Sequence, residues 1–174
     1  MRAAVLSDSH GNLELLERAL ALARREGPLD FVFHLGDEHT DIDGLLLEGE
    51  KREVVPGIYH KDYLEGTLSP SSTVEYGDLV IAMAHQPSDL PSLEGFQSPR
   101  LFLYGHTHSL SLTQFPWGIT FNPGHLCRPR HKGRLASFGC ISTRSDLLTI
   151  DGLALDGRRI LLGQWKWDDL RREH

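Results

Sequence analysis

Ala3-Ala4-Val5-Leu6-Ser7-Asp8-Ser9-His10-Gly11-Asn12 opens the chain with a short apolar run and then breaks it with a carboxylate, an imidazole and a glycine. An apolar run of this length, bounded by turn residues, reads as a strand of a sheet covered on both faces. The figure recurs three times. Phe31 to Leu35 leads into Gly36-Asp37, Leu79 to Ala84 into His85, and Leu101 to Tyr104 into Gly105-His106-Thr107-His108. In open α/β sheets the crevice beyond the carboxyl ends of the strands is where ligands bind. Strands ending in this way deliver Asp8, His10, Asp37, His85, His106 and His108 to one place, a donor set for one or two divalent metal ions.

Outward from that first strand, Asn12 can cap a helix over 13–26, with Leu13, Leu16, Leu20 and Ala23 on one stripe and Gly27-Pro28 as its stop. A strand at 31–35, a shorter helical piece around 41–49 and a strand at 53–55 complete a βαβαβ order, which predicts a mostly parallel sheet. From Thr73 onward the pattern becomes strands and turns. Tyr76-Gly77-Asp78 and Pro116-Trp117-Gly118 each join two strands, while Asp151-Gly152 and Asp156-Gly157 read as turns of the C-terminal third. No repeat, low-complexity tract or linker divides the chain. The expectation is one α/β domain over residues 1–174, a four-layer α-β-β-α sandwich of two mixed sheets flanked by helices.

The 174 residues suffice for a sizeable core, and 40% hydrophobic with 24% charged residues excludes a disordered chain. Eighteen Lys and Arg against 24 Asp and Glu leave a net charge of −6, which argues against duplex nucleic acid as a partner. Arg128, Arg130, His131, Lys132 and Arg134 form the one dense basic cluster, read as a solvated loop with substrate phosphate as the alternative. Cys127 and Cys140 read as free thiols. The first strand starts at Arg2, leaving no room for a signal peptide, and no run approaches the about 18 apolar residues of a membrane span. A cytoplasmic protein with no membrane partner is expected; a homo-oligomer is left open.

Carboxylates mixed with imidazoles, without thiolate, select manganese, iron, zinc, nickel or cobalt over a cysteine-rich structural zinc site. Two such ions a few ångströms apart need a bridging anion, and Asp37 can touch both. Asp8-x-His10, Gly36-Asp37, His85, Gly105-His106-x-His108 and Asn122-Pro123-Gly124, in this order, resemble the calcineurin-like metallophosphoesterases, and the short length without added domains resembles their small bacterial and archaeal phosphodiesterase branch. That branch also includes the eukaryotic retromer subunit of the same fold, which serves mainly as a scaffold. The resemblance implies two divalent ions, manganese first. Asp8, His10, Asp37 and His108 would hold one; Asp37, His85 and His106 would hold the other. Asn12 would be a supporting or phosphate-facing donor, unless it only caps the helix, and Asn122 would brace the histidine loop. The implied activity is hydrolysis of a small phosphate ester, most readily a diester, by a metal-bridging hydroxide, with Asp37 and His106 catalytic. The alternative is a catalytically weak or inactive metal-binding scaffold.

One element departs from the family pattern. Where the family has Gly-Asn followed by a possible acid, this chain reads Gly57-Ile58-Tyr59-His60. Ile58 cannot ligate through its side chain, and His60 is the expected substitute ligand or acid. His34 reads as a core or supporting histidine. His39 and His125 lie at the same end of the sheet and are candidates for touching ligand or metal, whereas His131 and His174 read as solvated. Trp165 and Trp167 read as buried or as marking an interface. Gln86 to Arg100 is expected to rim the pocket.

Overall fold

A computed structural model describes residues 1–93 and 99–172. The elements follow as β1 (Arg2–Leu6), α1 (Leu13–Ala23), β2 (Phe31–His34), β3 (Lys51–Val54), α2 (Lys61–Leu64), β4 (Ser71–Tyr76) and β5 (Leu79–Ala84). Then come β6 (Arg100–Tyr104), β7 (Ser111–Phe115), β8 (Gly118–Asn122), the two-residue strands β9 (Arg130–His131) and β10 (Arg134–Leu135), β11 (Ser137–Arg144), β12 (Leu147–Ala154), β13 (Arg159–Lys166) and α3 (Trp167–Arg172). Two sheets carry the fold, a six-stranded one in the order β13-β12-β11-β1-β2-β3 and a five-stranded one in the order β4-β5-β6-β8-β7. Strands β1, β2 and β3 run parallel because a crossover separates them, while β11, β12 and β13 return through tight turns and pair antiparallel. The first sheet is therefore mixed rather than mostly parallel.

Strand side chains alternate between faces, and here both faces are buried. Ala3 and Val5, Phe31 and Phe33, Leu79, Ile81 and Met83, and Leu101 and Leu103 fill the space between the sheets. Their odd-man neighbours Ala4, Leu6 and Val32 face α1, which supplies Leu15, Leu16, Ala19, Leu20 and Ala23. Val80, Ala82 and Phe102 turn to the far side of the second sheet, where Leu90 and Leu93 lie against them beside a 3-10 turn at Pro87–Asp89. Two-sided burial is why these strands read as unbroken apolar runs; each large side chain so buried contributes about 1.5–3 kcal/mol.

Three local expectations are corrected. The piece around 41–49 is a 3-10 turn at His39–Ile42 followed by turns, because Glu50 and Arg24 take over its backbone groups: the Leu47 amide donates to Glu50 and the Leu45 carbonyl accepts from Arg24. Leu13 is exposed, since the buried stripe of α1 starts at Leu15. Asp151-Gly152 is not a turn but lies inside β12. Asp151 pairs across to Arg159 at 2.6 Å, and a Cβ at Gly152 would press on Leu110, just before β7 of the other sheet, so the glycine marks close packing there. Both cysteines are free, and no helix among the described residues is long and apolar enough to cross a membrane. Trp165 donates to Gln114 and Trp167 to the Arg144 carbonyl, both partly buried against the core. His174 and residues 94–98 of the 86–100 segment lie outside the described residues.

Candidate metal centre

Four strand ends meet at one edge of the sandwich and bring the six residues together. Each end turns abruptly: Asp8, His10, Asp37, His106 and His108 all have left-handed backbone, with φ between 48° and 62°. Asp and His tolerate this region better than most residues, and it folds each side chain back over the sheet edge. Two glycines make the crowding feasible. A Cβ on Gly36 would stand 2.5 Å from His85 Nδ1, and one on Gly105 would collide with Ser7 Oγ and come within 2.9 Å of Asp8 Oδ2.

Asp8 is fully buried. Its Oδ2 accepts from Ser7 Oγ (2.6 Å) and from the His106 amide (3.1 Å), tying the first strand to the histidine loop. Oδ1 has His108 Nε2 at 3.0 Å but no aligned donor, so it is a buried acceptor without a hydrogen bond. Asp37 lies between His10 Nε2, 2.8 Å from Oδ2, and His85 Nε2, 3.4 Å from Oδ1. Burial raises the Asp37 pKa, but the hydrogen bond from His10 and the charges of His85 and His10 win and hold it at about 2. The same hydrogen bond, against burial, raises that of His10.

The tautomer of His85 tests whether this cluster suits a metal. Its Nδ1 lies 2.6 Å from the Leu35 carbonyl, which only accepts, so Nδ1 carries the hydrogen and Nε2 presents a lone pair. That lone pair accepts from His106 Nδ1 at 3.3 Å and lies 3.4 Å from Asp37 Oδ1. The orphaned, buried Asp8 Oδ1 is an acceptor that a cation relieves, and a carbonyl-anchored imidazole is the usual support of a ligating histidine. Ligand atoms of Asp8, His10, Asp37 and His108 all fall within 4.8 Å of one another. The donor set fits divalent ions of the manganese to zinc range.

The remaining expected residues separate into groups. Asn122 donates to the Gly105 carbonyl (2.8 Å) and Thr107 Oγ1 (3.0 Å) and accepts from the Gly124 amide, bracing the histidine loop. Asn12 caps α1 through the Leu15 amide and donates to the Cys127 carbonyl, so both ends of its amide are engaged. His34 is fully buried, 3.2 Å from Ser9 Oγ; burial, then the charge of His39, pushes its pKa down to about 3. His125 is buried and its ring stacks 5.5 Å from that of His108. His131 is not simply solvated: its ring stands 5.0 Å from that of His108, because β9 and β10 fold over this side of the cluster, and Arg134 reaches the Thr107 carbonyl at 3.4 Å. His60 caps α2 and contacts His39, Asp62 and Glu38 rather than the six-residue cluster, while Tyr59 is 83% exposed.

Two supports were not foreseen. Ser7 ends the first apolar run and could have been noticed there. Asp41 accepts from Ser9 Oγ (2.7 Å) and the Gly11 amide (2.9 Å), shaping the loop from Asp8 to Asn12, and no local pattern announces it.

Residues 1–146 match the sequence profile described as the Calcineurin-like phosphoesterase superfamily domain. Among solved structures, the phosphoesterase Yfce from E. coli is 24% identical, with 94% of this chain and 98% of that one covered at a TM-score of 0.71. A predicted phosphoesterase from Streptococcus pneumoniae TIGR4 is also 24% identical, covering 95% and 97% at a TM-score of 0.67. Vps29 from Entamoeba histolytica complexed with zinc is 19% identical, covering 96% and 99% at a TM-score of 0.61. At these identities the likeness establishes the shared fold. No curated protein sequence matches significantly.

Proposed function

Since the chain belongs to the calcineurin-like phosphoesterase superfamily, we propose that it is a divalent-metal-dependent phosphodiesterase with a dinuclear centre. The observation that carries the reading is the convergence of two carboxylates and four imidazoles on one edge of the sandwich, with the buried Asp8 Oδ1 left without a donor. Asp8, His10, Asp37 and His108 are assigned to one ion and Asp37, His85 and His106 to the other, manganese being the first candidate. Divalent ions bound there supply Lewis acidity and a water acidic enough to attack phosphorus at neutral pH.

The chain's own groups complete the site. Asp37, held between His10 and His85, is ionised across the physiological range and presents one oxygen to each side. His10 and His106 are exposed and stand where a phosphate would enter; His106 is positioned to stabilise charge developing on it. His131 and Arg134 flank His108 and offer positive or polar contacts to the remainder of a diester. Ile58 supplies no ligand and Tyr59 points to solvent, so no acid from this segment meets the leaving group. Esters with low-pKa leaving groups are favoured for that reason.

Hydrolysis of bis-(p-nitrophenyl) phosphate by metal-stripped protein reloaded with Mn²⁺ tests the assignment. Turnover that needs the ion and disappears in a folded Asp37→Asn variant supports it. Absence of turnover with manganese, nickel, cobalt and zinc in a protein that still binds them would favour the second reading, a metal-binding scaffold. The loss of a side-chain ligand at Ile58 is what recommends that reading.

A further inference from the structure

Beyond the six-residue cluster, a second group of metal-type donors lies between the 3-10 turn at His39–Ile42 and the start of α2. Ligand atoms of His39, His60 and Asp62 lie within 4.8 Å of one another. His39 Nε2 is 3.3 Å from Asp62 Oδ2, His60 Nδ1 is 3.5 Å from the same oxygen, and the two rings meet edge to face at 4.5 Å. His39 is only 3% exposed, and its Nδ1 is buried without a hydrogen-bond partner.

The hydrogen bonds around the group fix which atoms face inward. Thr67 Oγ1 donates to Asp62 Oδ1 at 2.8 Å, which orients the carboxylate and leaves Oδ2 for the two rings. The Asp62 amide donates to His60 Nδ1 at 3.2 Å, so that nitrogen bears no hydrogen. That bond engages the nitrogen's one lone pair, so ligation through Nδ1 exchanges the amide for the ion, while Asp62 Oδ2 and the buried His39 ring already face the same point. Helix capping accounts for the His60 amide bond and an imidazole–carboxylate contact for His39 Nε2 and Oδ2, but neither gives the buried His39 Nδ1 a partner.

We propose that His39, His60 and Asp62 bind a divalent metal ion of the zinc class, separate from the six-residue centre, with a coordination position left to water. Two imidazoles, one carboxylate and an open position form a recognised donor set for such ions. Held there, the ion fastens the turn that follows Asp37 to the segment that carries Ile58. A Cβ on Gly57 would stand 2.5 Å from Asp37 Cα, so that segment already lies directly against the carboxylate of the main centre. The ion would steady this wall without reaching the substrate. The site stands independently of the phosphodiesterase reading.

Cobalt(II) reports the difference, because four-coordinate cobalt absorbs visible light far more strongly than six-coordinate cobalt. Metal-stripped wild type, Asp62→Asn, His60→Ala and Asp8→Asn are titrated with Co²⁺ alone, following bound metal and visible absorption. Expected is an intense band in wild type and in Asp8→Asn. In Asp62→Asn and His60→Ala the band is lost, with one fewer cobalt bound or an affinity for it lowered by about tenfold or more. Asp62→Asn keeps the side chain's shape and the Thr67 bond, so it covers a His60→Ala chain that fails to fold once its cap is removed. An unchanged band and stoichiometry in Asp62→Asn, or a band lost in Asp8→Asn instead, overturns the proposal. Because the readout is colour and count, a wild type without turnover that shows the band sinks the phosphodiesterase reading and leaves this site standing.

Discussion

Replacing His34 by Gln removes one titration from the protein and little else. His34 is wholly buried at the end of β2, with Nε2 3.2 Å from Ser9 Oγ. Ser9 gives its own hydrogen to Asp41, so it accepts from His34 Nε2; Nδ1 has no partner. Protonation would place a hydrogen on Nδ1 in apolar surroundings, which is why the folded pKa lies near 3 against the ordinary 6.5. A lowered histidine pKa means the unfolded chain binds more protons between those two values. Stability is therefore fully present above about pH 6.5 and drains away as pH falls toward 3, at up to about 1.4 kcal/mol per pH unit. Between pH 7 and pH 5 the linkage comes to about 2 kcal/mol. Gln can still donate to Ser9 but does not titrate. Urea unfolding of metal-free wild type and His34→Gln across this range should show the wild type losing about 2 kcal/mol more than the variant. Other histidines contribute alike to both and cancel. Parallel stability curves would refute the reasoning, showing that the buried ring finds a partner for its second proton.

Three further outcomes follow from the same contacts. Gly105→Ala forces a methyl into Ser7 Oγ and the Asp8 carboxylate; thermal unfolding should show a loss of about 1–3 kcal/mol, with metal content at the main centre falling together with it. Asn122→Ala unties Gly105 and Thr107, costing about 1–3 kcal/mol and weakening metal affinity by about tenfold, measured by unfolding and by competition with a chelator. Arg24→Ala strands the nearly buried carboxylate of Glu50, now 2.6 Å from the guanidinium, at a cost of about 3 kcal/mol near neutrality. Burial raises the Glu50 pKa, but the Arg24 hydrogen bond outweighs it and leaves the value lowered; the gap between variant and wild type should narrow as pH falls below about 4.5 and the carboxylate protonates.

The six candidate ligands were legible because each follows an apolar run directly, so local order in the chain already reports which sheet edge it reaches. Asn122 was placed by the family pattern instead, through Asn122-Pro123-Gly124, and it does brace the histidine loop. What sequence could not supply were partners that meet only after folding. Asp41 serves the loop from Asp8 to Asn12 across the chain, and Asp62 draws His39 and His60 together from separate segments. His60 was expected at the main centre because position in sequence gives proximity but not direction; its role as the cap of α2 turns it toward His39. Asp151-Gly152 misled in the opposite way. An aspartate beside a glycine suits a turn, yet here the glycine makes room for Leu110 and the aspartate answers Arg159 on the next strand.

The left-handed corners set stability and chemistry against each other. Glycine occupies that backbone region freely, whereas a residue with a Cβ gives up about 1–2 kcal/mol there. At the exposed corners His10 and His106 that relief is set against the His10 bond to Asp37 (2.8 Å) and the His106 contact with His85 (3.3 Å), so glycine substitutions should change the heat resistance of the metal-free protein little. Selection for a sturdy fold alone would then wear the centre away without a trace in solubility or melting temperature. Imidazoles at those two corners therefore answer to a demand other than stability.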